Sequence, residues 1–122
     1  MVRAVGTDVV DIDHFERVVE GSRPGFLRHL FTEQETSYCE RFKDRMASYA
    51  AVFAAKEAFL KALRTGLGPG MRWTDVEVLH ERSGAPTIVA RRSCADLLGK
   101  RRAHVSLSHS VRSAHAIVVI ED

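Results

Sequence analysis

Cysteine is nearly absent: Cys39 and Cys94 are the only two, far apart and outside any C-x-x-C spacing. A disulfide framework has no basis here, and with no secretory apolar core the expectation is two free thiols in a reducing cytoplasm. Long apolar runs are missing too. The longest, such as "AAVFAA" and "AIVVI", fall well short of the roughly 20 residues that cross a bilayer, so no membrane partner is expected. Aromatic residues make up 7% of the chain and no long basic run is present, which argues against a nucleic-acid binder. Neither sign of charge dominates: 18 Lys and Arg stand against 16 Asp and Glu, a formal +2 that permits an anionic ligand or an acidic partner without requiring one. Internal repeats, low-complexity tracts and Gly/Ser linkers are also lacking, so residues 1–122 read as one domain.

What is present is 45% apolar and 28% charged, ordinary proportions for a chain that folds around a core. The Val-rich residues 2 to 10 read as a strand with Asp8 in its interior, and residues 13 to 20 as a short helix stopped near Gly21 and Pro24. Thr32 and Glu35 stand at capping-box spacing and open a helix to about Phe42. From Arg45 to Leu63 the residues are strong helix formers with neither Gly nor Pro, and Gly66 is expected to supply a left-handed stop just beyond. "GLGPGM" is a loop, "WTDVEVLHE" alternates as a strand does, and "RSGAPT" turns into the strand "TIVAR". "SCADLLGK" forms a short helix, and the end reads as a hairpin of strands 103–109 and 114–120. This mixed order predicts an α+β fold: a small, mostly antiparallel sheet packed with one long central helix and shorter helices.

Two polar features interrupt these patterns. Glu57 and Lys61 are four apart on the long helix, and Arg64 lies a turn further along the same stripe. They form either an exposed pair worth roughly 0.3–0.5 kcal/mol, or a narrow charged stripe lodged among other elements and in need of partners. Asp8 follows Gly6, which lets a backbone or a ligand come close. Its carboxylate is exposed at a sheet edge, paired or metal-bound, because burying it alone is costly. Two carboxylates from different elements are what Mg²⁺ uses when phosphate and water oxygens complete its octahedron, and the same oxygen set suits Mn²⁺. Lys61 would then serve as a phosphate counter-charge.

In order and spacing, "VGTDVVDI", "FTEQE", "FAAKEAFLKALRTGLG", "WTDVEV", "SGAPTI" and "HVSLSHS" followed by "AHAIVVI" resemble the holo-acyl-carrier-protein synthase family. These are the small stand-alone 4′-phosphopantetheinyl transferases, and the resemblance runs over nearly the whole chain. It implies that family's fold, a homotrimer with active sites at the subunit boundaries. The implied reaction moves the phosphopantetheine arm of coenzyme A onto a serine of an apo acyl carrier protein, releasing adenosine 3′,5′-bisphosphate. By the same resemblance Asp8 and Glu57 bind Mg²⁺, and Lys61 and His109 lie near the coenzyme A phosphates. Arg64, Thr65 and Gly66 border the nucleotide, and Pro86 adds a wall. The helix and loop after the Asp8 strand, with Arg17, Arg23 and Arg28, dock the acidic carrier.

Taken from the residues alone, several of these assignments stay open. His109 shares a strand side with Val105 and Leu107, which fits an interior histidine as well as a functional one. A helix stop explains Gly66 as fully as phosphate binding does. Arg17, Arg23 and Arg28 stand among the acids Asp11, Asp13, Glu16, Glu20, Glu33 and Glu35, as on any mixed solvated surface. His104, His109 and His115 match no common zinc spacing. The chain also departs from the family pattern. Ala51 and Val52 replace a common Gly-Arg or Ala-Arg, Leu60 replaces a serine, and His115 a small residue; either Arg45, Arg64 or Arg91 replaces the missing cation or the affinity for coenzyme A is lower. A non-catalytic module that binds coenzyme A or a carrier is the alternative to an enzyme.

Overall fold

A computed structural model describes residues 1–122. Strand β1 (Val2–Asp11) leads directly into α1 (Ile12–Glu20), followed by α2 (Phe26–Leu30), α3 (Glu33–Cys39) and the long α4 (Arg45–Leu63). After a 3-10 turn at Trp73–Asp75 come the hairpin β2 (Val76–His80) and β3 (Pro86–Ala90), α5 (Arg92–Leu98), and the closing hairpin β4 (Arg102–His109) and β5 (Ser113–Glu121). The fold is α+β with antiparallel pairing throughout, divided into two sheets. One has the order β1-β5-β4, and β2 with β3 makes the other.

The helix that the propensities favour most strongly is also the one around which the core is built. Asp44 caps α4 by accepting from the Ala47 amide at 3.2 Å, an arrangement worth about 1 kcal/mol. Ala50, Ala54, Ala55, Ala58 and Ala62 let neighbouring backbones come close, while Tyr49, Phe59 and Leu60 fill the wider gaps; all are buried. Each fully buried large side chain contributes about 1.5–3 kcal/mol. β1 lies against this helix at Gly6. A Cβ there would sit 2.0 Å from the Ala58 carbonyl oxygen and 2.7 Å from the Ala62 nitrogen, so only glycine permits the approach. Of the two close approaches that Gly6 allows, backbone or ligand, it is the backbone of α4 that fills the space.

Alternation then sets the faces of β1. Gly6 is buried against α4 and Asp8, two residues on, is turned the same way, while Val5 and Val9 point outward. Asp11 ends the strand and caps α1 by accepting from the His14 amide at 2.8 Å. Thr32 and Glu35 form the expected capping box, but α3 ends at Cys39, short of Phe42. Other expectations need correcting. Helix α2 has no periodic signal, and opens on Gly25 at φ 90°. Trp73–Asp75 forms a 3-10 turn, because Asp75 folds back to accept from the Arg72 amide at 3.0 Å. α4 is stopped by Arg64, itself left-handed at φ 65°, two residues before Gly66. No helix is long and apolar enough to cross a membrane.

Candidate active site

Because Gly6 brings β1 onto α4, Asp8 meets the stripe that carries Glu57 and Lys61. Lys61 Nζ donates to Asp8 Oδ1 at 2.9 Å and to the Thr7 carbonyl at 3.0 Å. β1 is an edge strand, yet the Asp8 side chain is only 15% exposed, against 54% for Lys61. Asp8 is therefore paired and turned inward. The ammonium goes across to the strand, so the stripe is not a free helical pair. Glu57 is half-buried, and that burial pushes its carboxyl above the ordinary range; the charge of Asp8 adds to the shift and Lys61 opposes it. A carboxylate held in this way is relieved by a cation.

These three side chains border a cavity of about 570 Å³ whose apolar wall includes Phe15, Phe26, Leu30, Phe53 and Trp73. His14 and His29 stand on its rim, and nothing in the hydrophobic periodicity marks them. No three His, Cys, Asp or Glu side chains converge into a closed metal cage. The two carboxylates are a hard oxygen pair of the kind that holds Mg²⁺ only together with phosphate and water oxygens, and in that sense they fit it.

His109 lies elsewhere. It is exposed at the end of β4, opposite Ala114, and is not an interior histidine. It borders a cleft of about 760 Å³ together with Pro86, Lys43 and Ser48. Tyr38 and His80 line the same cleft, stacked at 3.7 Å between ring centroids and 7° from parallel. The cleft and the carboxylate cavity share no lining residue, so His109 and Pro86 border one and Asp8, Glu57 and Lys61 the other. Val52 lines this cleft, and Lys43, an exposed loop residue with no sequence signal, supplies a cation beside it. Of the candidate replacements, Arg45 is bound to Glu40 at 2.9 Å and Arg91 to Glu77 at 2.5 Å. Arg64 is exposed with Thr65 and Gly66 just past α4. Arg17 is exposed on α1, and Arg23 and Arg28 edge a shallow depression next to it.

The fourth charge of the central helix, Lys56, lies off the Glu57 stripe and is fully buried, 2.6 Å from Glu35. Burial pulls the lysine below its ordinary range and pushes Glu35 above its own, and the contact between them opposes both shifts. Its only sequence signal is a lysine among alanines and phenylalanines.

Residues 4–120 match the family model of the 4′-phosphopantetheinyl transferase superfamily. The chain is 43% identical to the holo-[acyl-carrier-protein] synthase of Syntrophotalea carbinolica over 96% of this chain and 94% of that one. It is 38% identical to that of Geotalea daltonii over 99% of both. Among solved structures, the Neisseria meningitidis holo-[acyl-carrier-protein] synthase superposes with a TM-score of 0.89 at 26% identity over 100% of both chains. The Helicobacter pylori enzyme, solved in complex with coenzyme A, gives 0.85 at 30% identity over 96% of this chain and 99% of that one. The chain belongs to the 4′-phosphopantetheinyl transferase superfamily and, within it, to the holo-[acyl-carrier-protein] synthase family.

Proposed function

We propose that this chain, acting as one domain over residues 1–122, transfers the 4′-phosphopantetheine arm of coenzyme A to a serine of an apo acyl carrier protein in the cytoplasm, releasing adenosine 3′,5′-bisphosphate. The observation that carries the reading is the meeting of Asp8, Glu57 and Lys61 across the β1–α4 contact in a chain of this family. Mg²⁺, or Mn²⁺ in its place, would be held by Asp8 and Glu57 with the pyrophosphate, supplying charge neutralisation and Lewis acidity there. The serine oxygen, its proton passing to water, forms its bond to the phosphorus that bears pantetheine, and the bond from that phosphorus to the bridging oxygen breaks, with the electron pair leaving on adenosine 3′,5′-bisphosphate. Lys61 and His109 hold the negative charge that moves to the leaving nucleotide, and Arg64, Thr65, Gly66 and Pro86 flank it.

Two features support shared sites in a homotrimer. His109 and Pro86 belong to a cleft separate from the carboxylate cavity, and the outer face of the three-stranded sheet leaves Val5, Val9 and Ile117 53%, 60% and 41% exposed. A second copy that covers this face can bring its own cleft to the cavity. Arg17, Arg23 and Arg28 would meet the acidic carrier. The test is to incubate the protein with coenzyme A, Mg²⁺ and apo carrier and to weigh the carrier. Gain of the phosphopantetheine mass is expected, and binding of coenzyme A with no mass gain would make the chain a non-catalytic module.

A further inference from the structure

Lys56 has no part in the transfer just described, yet it is the one fully buried cation in the chain. Its ammonium carries three N–H groups, and three acceptors meet them: Glu35 Oε1 at 2.6 Å, the Leu30 carbonyl at 2.7 Å and the Trp73 carbonyl at 3.1 Å. The ring of Phe31 lies 5.3 Å away. A buried ion pair brings little net stability over a well-packed apolar replacement, so its value lies in what its bonds hold. Leu30 ends the five-residue α2, and Trp73 begins a three-residue 3-10 turn; neither segment is long enough to hold itself. Both residues line the cavity of Asp8 and Glu57. Glu35 in turn accepts from the Thr32 amide at 2.9 Å and the Val78 amide at 2.8 Å, which extends the clamp to β2.

We propose that Lys56 is a positioning residue: through the carbonyls of Leu30 and Trp73 it fixes the apolar wall that faces Asp8 and Glu57. Glu57 stands next to it in sequence, so one stretch of α4 sets both the carboxylate and the opposing wall. Without the clamp, α2 and the 3-10 turn lose their common anchor and the wall drifts from the place where serine and pantetheine must meet. A displacement of about 1 Å at such a site costs on the order of 100-fold in rate.

The variant to make is Lys56→Met with Glu35→Gln, which removes both charges and leaves no unpaired ion in the core. Trp73 is the only tryptophan, so its emission and its quenching by acrylamide report on the wall directly. In a double variant with a cooperative melt, we expect red-shifted and more quenchable Trp73 emission. Transfer to the carrier should fall about tenfold or more in kcat/KM. Glu35→Gln alone keeps the Lys56 bonds to both carbonyls but leaves that cation without its counter-charge, so it should melt lower and, where its melt is cooperative, retain the wild-type spectrum. Wild-type emission and quenching in the folded double variant would overturn the clamp, and altered emission with unchanged transfer would overturn its positioning role. If the double variant does not fold, hydrogen exchange on the unaltered protein decides: amides of Phe26–Phe31 and Trp73–Asp75 that open together and are protected like α4 support the clamp. Exchange as free loops refutes it. Only the kinetic readout rests on the transferase reading, so an inactive wild type would leave the fluorescence and exchange results to stand by themselves.

Discussion

At Glu57, the proposed catalytic role and stability pull in opposite directions. Its carboxyl is held above the ordinary 4.5 chiefly by burial, so the folded chain binds this proton more tightly than the unfolded one. For a raised carboxylate the contribution to stability is present at acid pH and is lost as pH rises from 4.5 through the folded value. At neutral pH, without a divalent cation, the ionised Glu57 is therefore a burden on the fold. Glu57→Gln should melt higher than the wild type under those conditions while losing transfer activity, and the difference in melting should close below about pH 4. A lower melting point for Glu57→Gln at pH 7 would contradict the shift. Lys61 raises a related competition. Its ammonium already lies on Asp8 at 2.9 Å, on a carboxylate proposed to hold the cation. A half-exposed pair of this kind is worth about 0.2–1 kcal/mol, so Lys61→Met should bind Mn²⁺ about 1.4- to 5-fold more tightly in the absence of coenzyme A. Transfer should nevertheless slow. Calorimetric titration measures the first effect, and weaker Mn²⁺ binding by the variant would show that Lys61 is not a competitor.

Between elements, the contact that matters most is β1 on α4, and one hydrogen atom permits it. Gly6→Ala places a methyl group 2.0 Å from the Ala58 carbonyl oxygen, against two backbones that have no room to rotate away. We expect a loss of about 3 kcal/mol or more by urea denaturation, since overpacking commonly costs 1–3 kcal/mol and here the obstacle is main chain. The same wedge separates Asp8 from Glu57, so cation binding should fall with stability. An alanine variant of unchanged stability would mean that the two elements part easily. This contact is half legible in sequence. A glycine and a carboxylate inside a valine strand break an otherwise apolar pattern, as do Glu57 and Lys61 in an alanine-rich helix, and broken patterns are what a reader can find. The ends of α4 are a further case: its start is written in Asp44, but a left-handed arginine carries no mark that separates it from a helical one. Lys43 and His29 reach their cavities only through tertiary placement, and no local period encodes that. On α1 and α2, Arg17 and Arg28 test docking. Reversing both to Glu should raise KM for the carrier about tenfold or more, leave KM for coenzyme A nearly unchanged and flatten the salt dependence. Equal changes for both substrates would place the damage at the phosphate site.

At the scale of the whole molecule, the proposed site residues fall into two sets that line separate cavities. Asp8, Glu57 and Lys61 border one cavity, and His109, Pro86 and Lys43 border another with no residue in common. In the proposed assembly a second copy joins the two sets, and the exposed Val5 and Val9 of the sheet are the surface on which copies would meet. This has a quantitative consequence for mixed assemblies. If the proposed homotrimer forms, Asp8→Ala and His109→Ala assemblies each lack one half at every boundary and should be inactive. When the two are unfolded together and refolded in equal amounts, a boundary is intact if its cavity comes from the His109→Ala chain and its cleft from the Asp8→Ala chain. With random assembly that holds for about one boundary in four, so the mixture should recover about a quarter of wild-type activity. If both halves were drawn from a single subunit, every site would still carry one lesion and no activity would return. Sedimentation of the same samples supplies the second check, because full activity in a strictly monomeric wild-type fraction would remove the need for a partner copy altogether.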